Sequence, residues 1–468
     1  MDERVDFQVA SAEPAIVRRP VIHGPVIGGH IGRPYASSVV DLRPFGYVEQ
    51  EYFVSGSAAA FNPRPGTALG RDGRWSAVAG DSANYTTRIL VRRPPAKRFN
   101  GTVIVEFMQE YFNAERDTNF RWNAETLLRE GFAWVGASLH HEGIDTNCQH
   151  EITLGELTVP AGPSLVQWDS ARYRDLRFPH SDLCYDVLSQ IGVAVGPDHG
   201  RCSVDPLPDL HVQRVVAVGN TIAAQRLQYY INAVHPLHGV FDGFYLQDLN
   251  ESGVCLSAGI AGPEGAWLRT DVDVPTIVLN TMTAAVQDVP QPDADLLRFW
   301  EPAGSSHTTG PYMARVAEAT RRDLGIESGV DALDSANTFP VQYVSGAAIV
   351  AVHRWAAEGV SAARTARLLR DGRPPQGSEV ADIYGNASGG LRTPWVDAPI
   401  ARYDWRGDGL GGSGRTYPFT TRQLIEIYGT PAEYHRRFAA AAHDALALGT
   451  LLIDDVEQAV EAAGKVTW

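Results

Sequence analysis

The chain has 468 residues, a formal net charge of −15 at neutral pH and 44% hydrophobic residues. It is long enough to bury a sizeable core, and its length is a prior for two or three domains or for one large α/β unit. An acidic surface repels phosphate backbones and anionic bilayers, so neither nucleic acid nor a membrane is an expected partner.

No run of about 18 apolar residues occurs, and the opening MDERVDFQVASAEP is charged where a leader peptide is basic and then apolar. A cytoplasmic protein is therefore expected. Cys148, Cys184, Cys202 and Cys255 are irregularly spaced, with no CxxC pair and no histidine ladder beside them. Free, mostly buried thiols are expected, with neither a zinc site nor a disulfide framework.

Residues 1–84 are rich in Gly, Pro and polar residues, and Tyr47–Val54 alternates as a half-buried strand does, which predicts a β-rich N-terminal extension. From Thr86 the pattern changes. TTRILVRRP is followed by the apolar runs Thr102–Phe107, Phe132–Leu139, Arg214–Gly219, Phe241–Leu246, Val274–Leu279 and Leu296–Gly304. Such Val- and Ile-rich runs are what strands buried on both faces of a parallel sheet look like. Helical patterns at Asn123–Glu130, Ser181–Val195 and Ala223–Val234 separate them. The alternation predicts a doubly wound, mostly parallel α/β core over 85–310. In 311–468, Val341–Ala356 and Glu433–Leu448 read as helices, whereas Gly385–Pro394 and Trp405–Tyr417 are too glycine-rich to be either element. This last region is expected to cover the core, the whole chain forming one structural unit.

In an open parallel sheet the working residues stand at the carboxyl ends of strands. After Arg214–Val218 comes Gly219-Asn220-Thr221-Ile222-Ala223, running straight into a helical pattern. This is the outline of the strand-to-helix nucleophile turn G-x-S-x-G, with Thr221 in the serine position. The small Gly219 and Ala223 suit so tight a turn, whereas a β-branched nucleophile fits it less well. The bland alternative is an ordinary turn with Thr221 as helix N-cap. A second stretch, Trp300–His307 (WEPAGSSH), delivers an imidazole from the end of the last buried strand, where a general base belongs.

These stretches resemble a bacterial α/β-hydrolase domain family of large single-chain esterase-like proteins, whose elbow is close to G-E-S-Q-S-A-x-R-L followed by Y-x-N-A-V-H-P. Here Gly219–Pro236 reads GNTIAAQRLQYYINAVHP, and GPVIGG (Gly24–Gly29), GTVIVEF (Gly101–Phe107), WEPAGSSH and GNASGGLRTP (Gly385–Pro394) fit as well. The resemblance covers nearly the whole chain. It implies an α/β-hydrolase fold, a nucleophile at Thr221 and a base at His307.

Two departures stand out. The family serine is Thr221, with Asn220, Ile222 and Ala223 replacing its neighbours. The family carboxylate, in a segment resembling S-E-x-D after Val274–Leu279, is replaced by Thr281-Met282-Thr283-Ala284. Losing the acid leaves the histidine tautomer unfixed, which costs a serine-protease triad about four orders of magnitude in turnover. Asp248, Glu251 and Asp288 are candidate substitutes, with Asp248 favoured. The oxyanion hole is expected from the backbone N–H of Ile222 and one near Gln109, in the loop after Thr102–Phe107. In that loop Glu110 places a negative charge near the oxyanion or is simply solvated.

Glu110, Tyr111, His140, His141, Asn220 and Met282 are expected to line the substrate pocket, though His140 and His141 fit a surface position equally. Tyr111, Phe112, Tyr229 and Tyr230 would make that pocket apolar. No cofactor or metal is called for. Three functions remain: hydrolysis or acyl transfer on a neutral or hydrophobic ester, lactone or thioester; proton transfer in a repurposed pocket, as in a cyclase, lyase or isomerase; and non-catalytic binding. A small molecule is the expected partner, and a homo-oligomer is compatible with the sequence.

Overall fold

The computed structural model describes residues 16–111, 114–145, 151–154, 157–160, 162–249, 263, 265–285, 290–326, 336–372, 378–406 and 413–468. One sheet holds nine strands: β1 (Val21–His23), β2 (Val48–Pro63), β3 (Ala77–Arg93), β4 (Thr102–Phe107), β5 (Ala133–Ala137), β6 (Arg214–Asn220), β7 (Gly243–Gln247), β8 (Thr276–Leu279) and β9 (Leu297–Trp300). Their spatial order is β1-β2-β3-β5-β4-β6-β7-β8-β9. Every neighbouring pair from β5 to β9 is parallel. The β1–β2, β2–β3 and β3–β5 pairs are antiparallel.

Among the described residues the helices of eight residues or more are α1 (Thr118–Arg129), α2 (Cys184–Ala194), α3 (Ile222–Tyr229), α4 (Gly310–Leu324), α5 (Val341–Glu358), α6 (Thr421–Tyr428), α7 (Pro431–Leu448) and α8 (Ile453–Gly464). They cover both faces of the sheet, and this explains the unbroken apolar runs. On β4, Val103, Val105 and Phe107 join the core beneath α2 and α3, while Ile104 joins the core beneath α1 and α5. On β6, Val215 and Ala217 face the first core, and Val216 and Val218 the second. A strand covered on both sides is apolar at nearly every position; where β4 carries Glu106, its buried carboxylate accepts from the N–H groups of Asn119 at 2.8 Å and Phe120 at 3.0 Å and from Trp134 Nε1 at 2.9 Å. A third, smaller cluster holds α6, α7 and α8 together through Leu424, Tyr428, Tyr434, Phe438 and Ala459.

Several expectations about elements are corrected. In the run Thr86–Pro94, read with the parallel strands, Thr86–Arg93 belongs to β3, which runs antiparallel to both neighbours. Hydrophobicity carries no information on strand direction. Residue 85, where the core was expected to begin, falls inside β3. Ala223–Val234 is α3 followed by a π-helical turn at Tyr230–Val234. Within Trp405–Tyr417, read as loop, Arg415 begins a short strand, Arg415–Pro418, paired with Ala401–Asp404.

β3 carries two fully buried arginines, which require partners. Arg88 pairs with Glu51 at 2.7 Å and Glu115 at 2.9 Å, and Arg92 with Glu49 at 2.7 Å and Asp117 at 2.6 Å. Glu115 lies in a small hairpin, Gln109–Tyr111 with Ala114–Arg116, directly after β4. The ion pairs thus anchor to the sheet the segment expected to contribute to the oxyanion hole.

Candidate active site

At the carboxyl end of β6 the chain turns sharply into α3. Gly219 makes that turn feasible: a Cβ there would lie 2.8 Å from the Ala223 carbonyl carbon and oxygen and 3.0 Å from the Ala224 nitrogen. Thr221 occupies the corner with φ 52° and ψ −110°, conformational space rarely tolerated by a β-branched residue. Its N–H donates to the Gln247 carbonyl at 2.9 Å, tying the turn to the end of β7. Backbone strain of this kind persists only where the surroundings impose it. The Thr221 hydroxyl donates to Asn220 Oδ1 at 2.7 Å.

Asp248 follows the adjacent strand β7 and is also held at positive φ, 53°. Its carboxylate is fully buried. Oδ1 accepts from both the backbone N–H of Thr281, at 2.8 Å, and the Thr281 hydroxyl, at 2.7 Å. Oδ2 accepts from His307 Nδ1 at 2.7 Å. The turn bearing His307 follows β9 and is fixed by its own N–H to Thr283 Oγ1 at 3.1 Å and by Met282 N–H to Ser305 Oγ at 3.2 Å. The segment Thr281–Thr283 therefore supplies no acid, but its hydroxyls position both the carboxylate and the histidine. Sequence reasoning passed over that role because it looked there only for an acid.

Burial of the His307 ring favours its neutral form, but the hydrogen bond and charge of Asp248 together outweigh it and raise the pKa above the ordinary histidine value. One quarter of the side chain remains exposed, so the base stays reachable. With Nδ1–H committed to Asp248, the neutral ring has Nε2 available as acceptor.

The remaining candidates lie around this centre or apart from it. Ile222 opens α3, so its N–H is among the helix's unsatisfied first-turn donors. Gln109 lies in the hairpin after β4, where a loop was expected, and its Oε1 accepts from Thr118 Oγ1 at 2.8 Å. Glu110 is half-buried in the same hairpin, which replaces the solvated loop. Asn220 and Met282 are each 2% exposed.

His140 packs edge-on against Phe107, ring centroids 5.1 Å apart, and is pushed down to about 3, first by burial and then by Arg226. It is a neutral core residue at neutral pH. His141 is partly exposed, and its Nδ1 lies 3.0 Å from Asp145 Oδ1. Tyr230 is also a core residue: its ring packs on Phe241 and Phe244, and its hydroxyl lies 2.8 Å from Ser189 Oγ. Tyr229 is tilted against Trp75. The Tyr111 side chain and Phe112, Glu251, Asp288, Cys148 and Cys255 lie outside the described residues; Cys184 and Cys202 are free thiols. A cavity of about 360 Å³ lies between α1, α4 and α8, lined by Trp122, Tyr312, Arg129 and Asp455 among others, and includes none of Thr221, Asp248 and His307. No helix among the described residues is long and apolar enough to cross a membrane.

The sheet order, the strained strand-to-helix corner and the histidine beyond the last strand define an α/β-hydrolase fold. Residues 22–461 match the family described as alpha/beta hydrolase domain, and the chain belongs to that family. Among solved structures it is similar to a cold-adapted esterase from an Arctic intertidal metagenomic library, with 11% identity, 50% of this chain and 72% of that one covered, and a TM-score of 0.26. It is also similar to esterase 2 of Thermogutta terrifontis, with 13% identity, 42% and 65% covered, and a TM-score of 0.23. The curated proteins contain no match.

Proposed function

We propose that the chain hydrolyses, or transfers the acyl group of, a neutral or hydrophobic ester, lactone or thioester, with Thr221 as nucleophile, His307 as general base and Asp248 as the orienting acid. The observation that carries this reading is the 2.7 Å Asp248–His307 hydrogen bond, formed beside a residue held at φ 52° where a nucleophile belongs. Thr221 Oγ1 attacks the acyl carbon while its proton passes to His307 Nε2. The carbonyl electron pair moves onto oxygen, facing the Ile222 N–H and a donor from the hairpin at Gln109. Collapse expels the alkoxide or thiolate, which takes the proton from His307, and water activated by the same imidazole releases the acid.

Asp248 takes the place of the acid missing after β8. It comes from the neighbouring strand and is aimed by the two donors of Thr281. A second reading, proton transfer by the His307–Asp248 dyad alone, is favoured by the Thr221 hydroxyl's bond to Asn220. Turnover of a panel of activated esters by wild type, Thr221→Ala, Thr221→Ser and His307→Ala separates the two. Wild-type turnover lost in Thr221→Ala and His307→Ala supports the hydrolase. An inert wild type with an active Thr221→Ser variant refutes it in favour of the dyad.

A further inference from the structure

The Thr221 hydroxyl has one proton, and it is donated to Asn220 Oδ1 at 2.7 Å. Asn220 is the last residue of β6, 2% exposed, with its backbone in register with Gln247 of β7. Its Nδ2 is buried without a hydrogen-bond partner, so among the described residues the Thr221 hydroxyl is the side chain's single partner. His307 meanwhile uses Nδ1 on Asp248, and among the described residues no hydrogen bond joins it to Thr221. An acceptor that holds the hydroxyl proton competes with the base that must receive it.

We infer that Asn220 is a positioning residue that parks the Thr221 hydroxyl in a resting rotamer, and that attack requires the proton to swing from Asn220 Oδ1 to His307 Nε2. The inference rests on the reading of Thr221 as nucleophile. Threonine makes the parking effective. Its χ1 is stiff, so moving the oxygen also moves the methyl group, in a turn already held at an unusual φ. Serine at the same position turns more freely, so the hold of Asn220 is weaker in Thr221→Ser.

The test is the rate of covalent labelling by a p-nitrophenyl phosphonate, with the site of attachment read by mass spectrometry. Asn220→Leu and Asn220→Ala remove the acceptor and should label Thr221 about fivefold faster than wild type, the factor that corresponds to one neutral hydrogen bond. Asn220→Asp keeps an acceptor and should be no faster than wild type. A gain is diagnostic, because a damaged fold only slows labelling. The gain should shrink when Asn220→Leu is placed in the Thr221→Ser background.

Equal or slower labelling of Asn220→Leu and Asn220→Ala, at unchanged melting temperature, overturns the inference while labelled wild type leaves the nucleophile reading standing. No adduct on Thr221 in either wild type or Asn220→Leu overturns the nucleophile reading, and the inference with it. Should the Leu and Ala variants melt early, Asn220→Asp decides: faster labelling than wild type overturns the inference, and labelling no faster than wild type at an unchanged melting temperature upholds it.

Discussion

Asp248→Asn removes one charge and leaves the shape almost unchanged. The two donors of Thr281 fix which amide atom goes where: only oxygen can face them at 2.7 and 2.8 Å, so the amide nitrogen must take the Oδ2 position beside His307 Nδ1. A donor there forces Nδ1 to accept, which puts the ring proton on Nε2, the atom that must receive the Thr221 proton. The same exchange in a serine-protease triad lowers turnover by about four orders of magnitude, about 5.4 kcal/mol of barrier. Because the Thr281 hydrogen bonds survive, the melting temperature should change little. The assay is kcat on an activated ester, with a thermal melt on the same preparation. A kcat within threefold of wild type would refute the reasoning, since the tautomer would then not be set by Asp248.

The pH dependence of the reaction follows from the raised His307 pKa. Thr221 can pass its proton only to a neutral ring, so the acid limb of kcat/KM should lie above the ordinary histidine value of about 6.5, and a limb below it counts against Asp248 as partner. Gly219→Ala would push a Cβ to within 2.8 Å of α3 backbone. A cost of about 1–3 kcal/mol in urea unfolding is expected, together with loss of turnover. Stability should also fall in acid, because burial lowers His140 to about 3 and His235 to about 4. Both folded-state values lie below the unfolded one, so the unfolded chain binds more protons between them. Stability is then fully present above about pH 6.5 and drops by up to about 1.4 kcal/mol per pH unit for each histidine as the pH falls towards 4. Urea midpoints from pH 7 to 4 measure this, and His140→Phe should flatten the slope.

Much of the architecture was written in the sequence for a physical reason. β4 through β9 are apolar at most successive positions because helices cover both faces, and Gly219 and Ala223 mark the turn because backbone passes so close to them. The antiparallel course of β3 was not legible, since a strand buried on both faces reads alike in either direction. β2 extends to Pro63, well beyond the alternation at Tyr47–Val54, because Ser55–Ala60 are too small to show a period. Choosing among Asp248, Glu251 and Asp288 needed three dimensions. Asp248 leaves β7, between the strands that bear the Thr221 turn and Thr281, and that adjacency is a property of strand order. For His140 the sequence left a pocket or a surface position open, and burial of the ring against Phe107 removes the surface position.

Whether Thr221 Oγ1 is the nucleophile is tested most directly by one digest. After reaction with a fluorophosphonate, trypsin releases Val215–Arg226, the peptide that contains Thr221. The adduct is expected on Thr221, absent in Thr221→Ala and greatly reduced in Asp248→Asn and His307→Ala. An adduct on another residue, or labelling that survives Thr221→Ala, would contradict it.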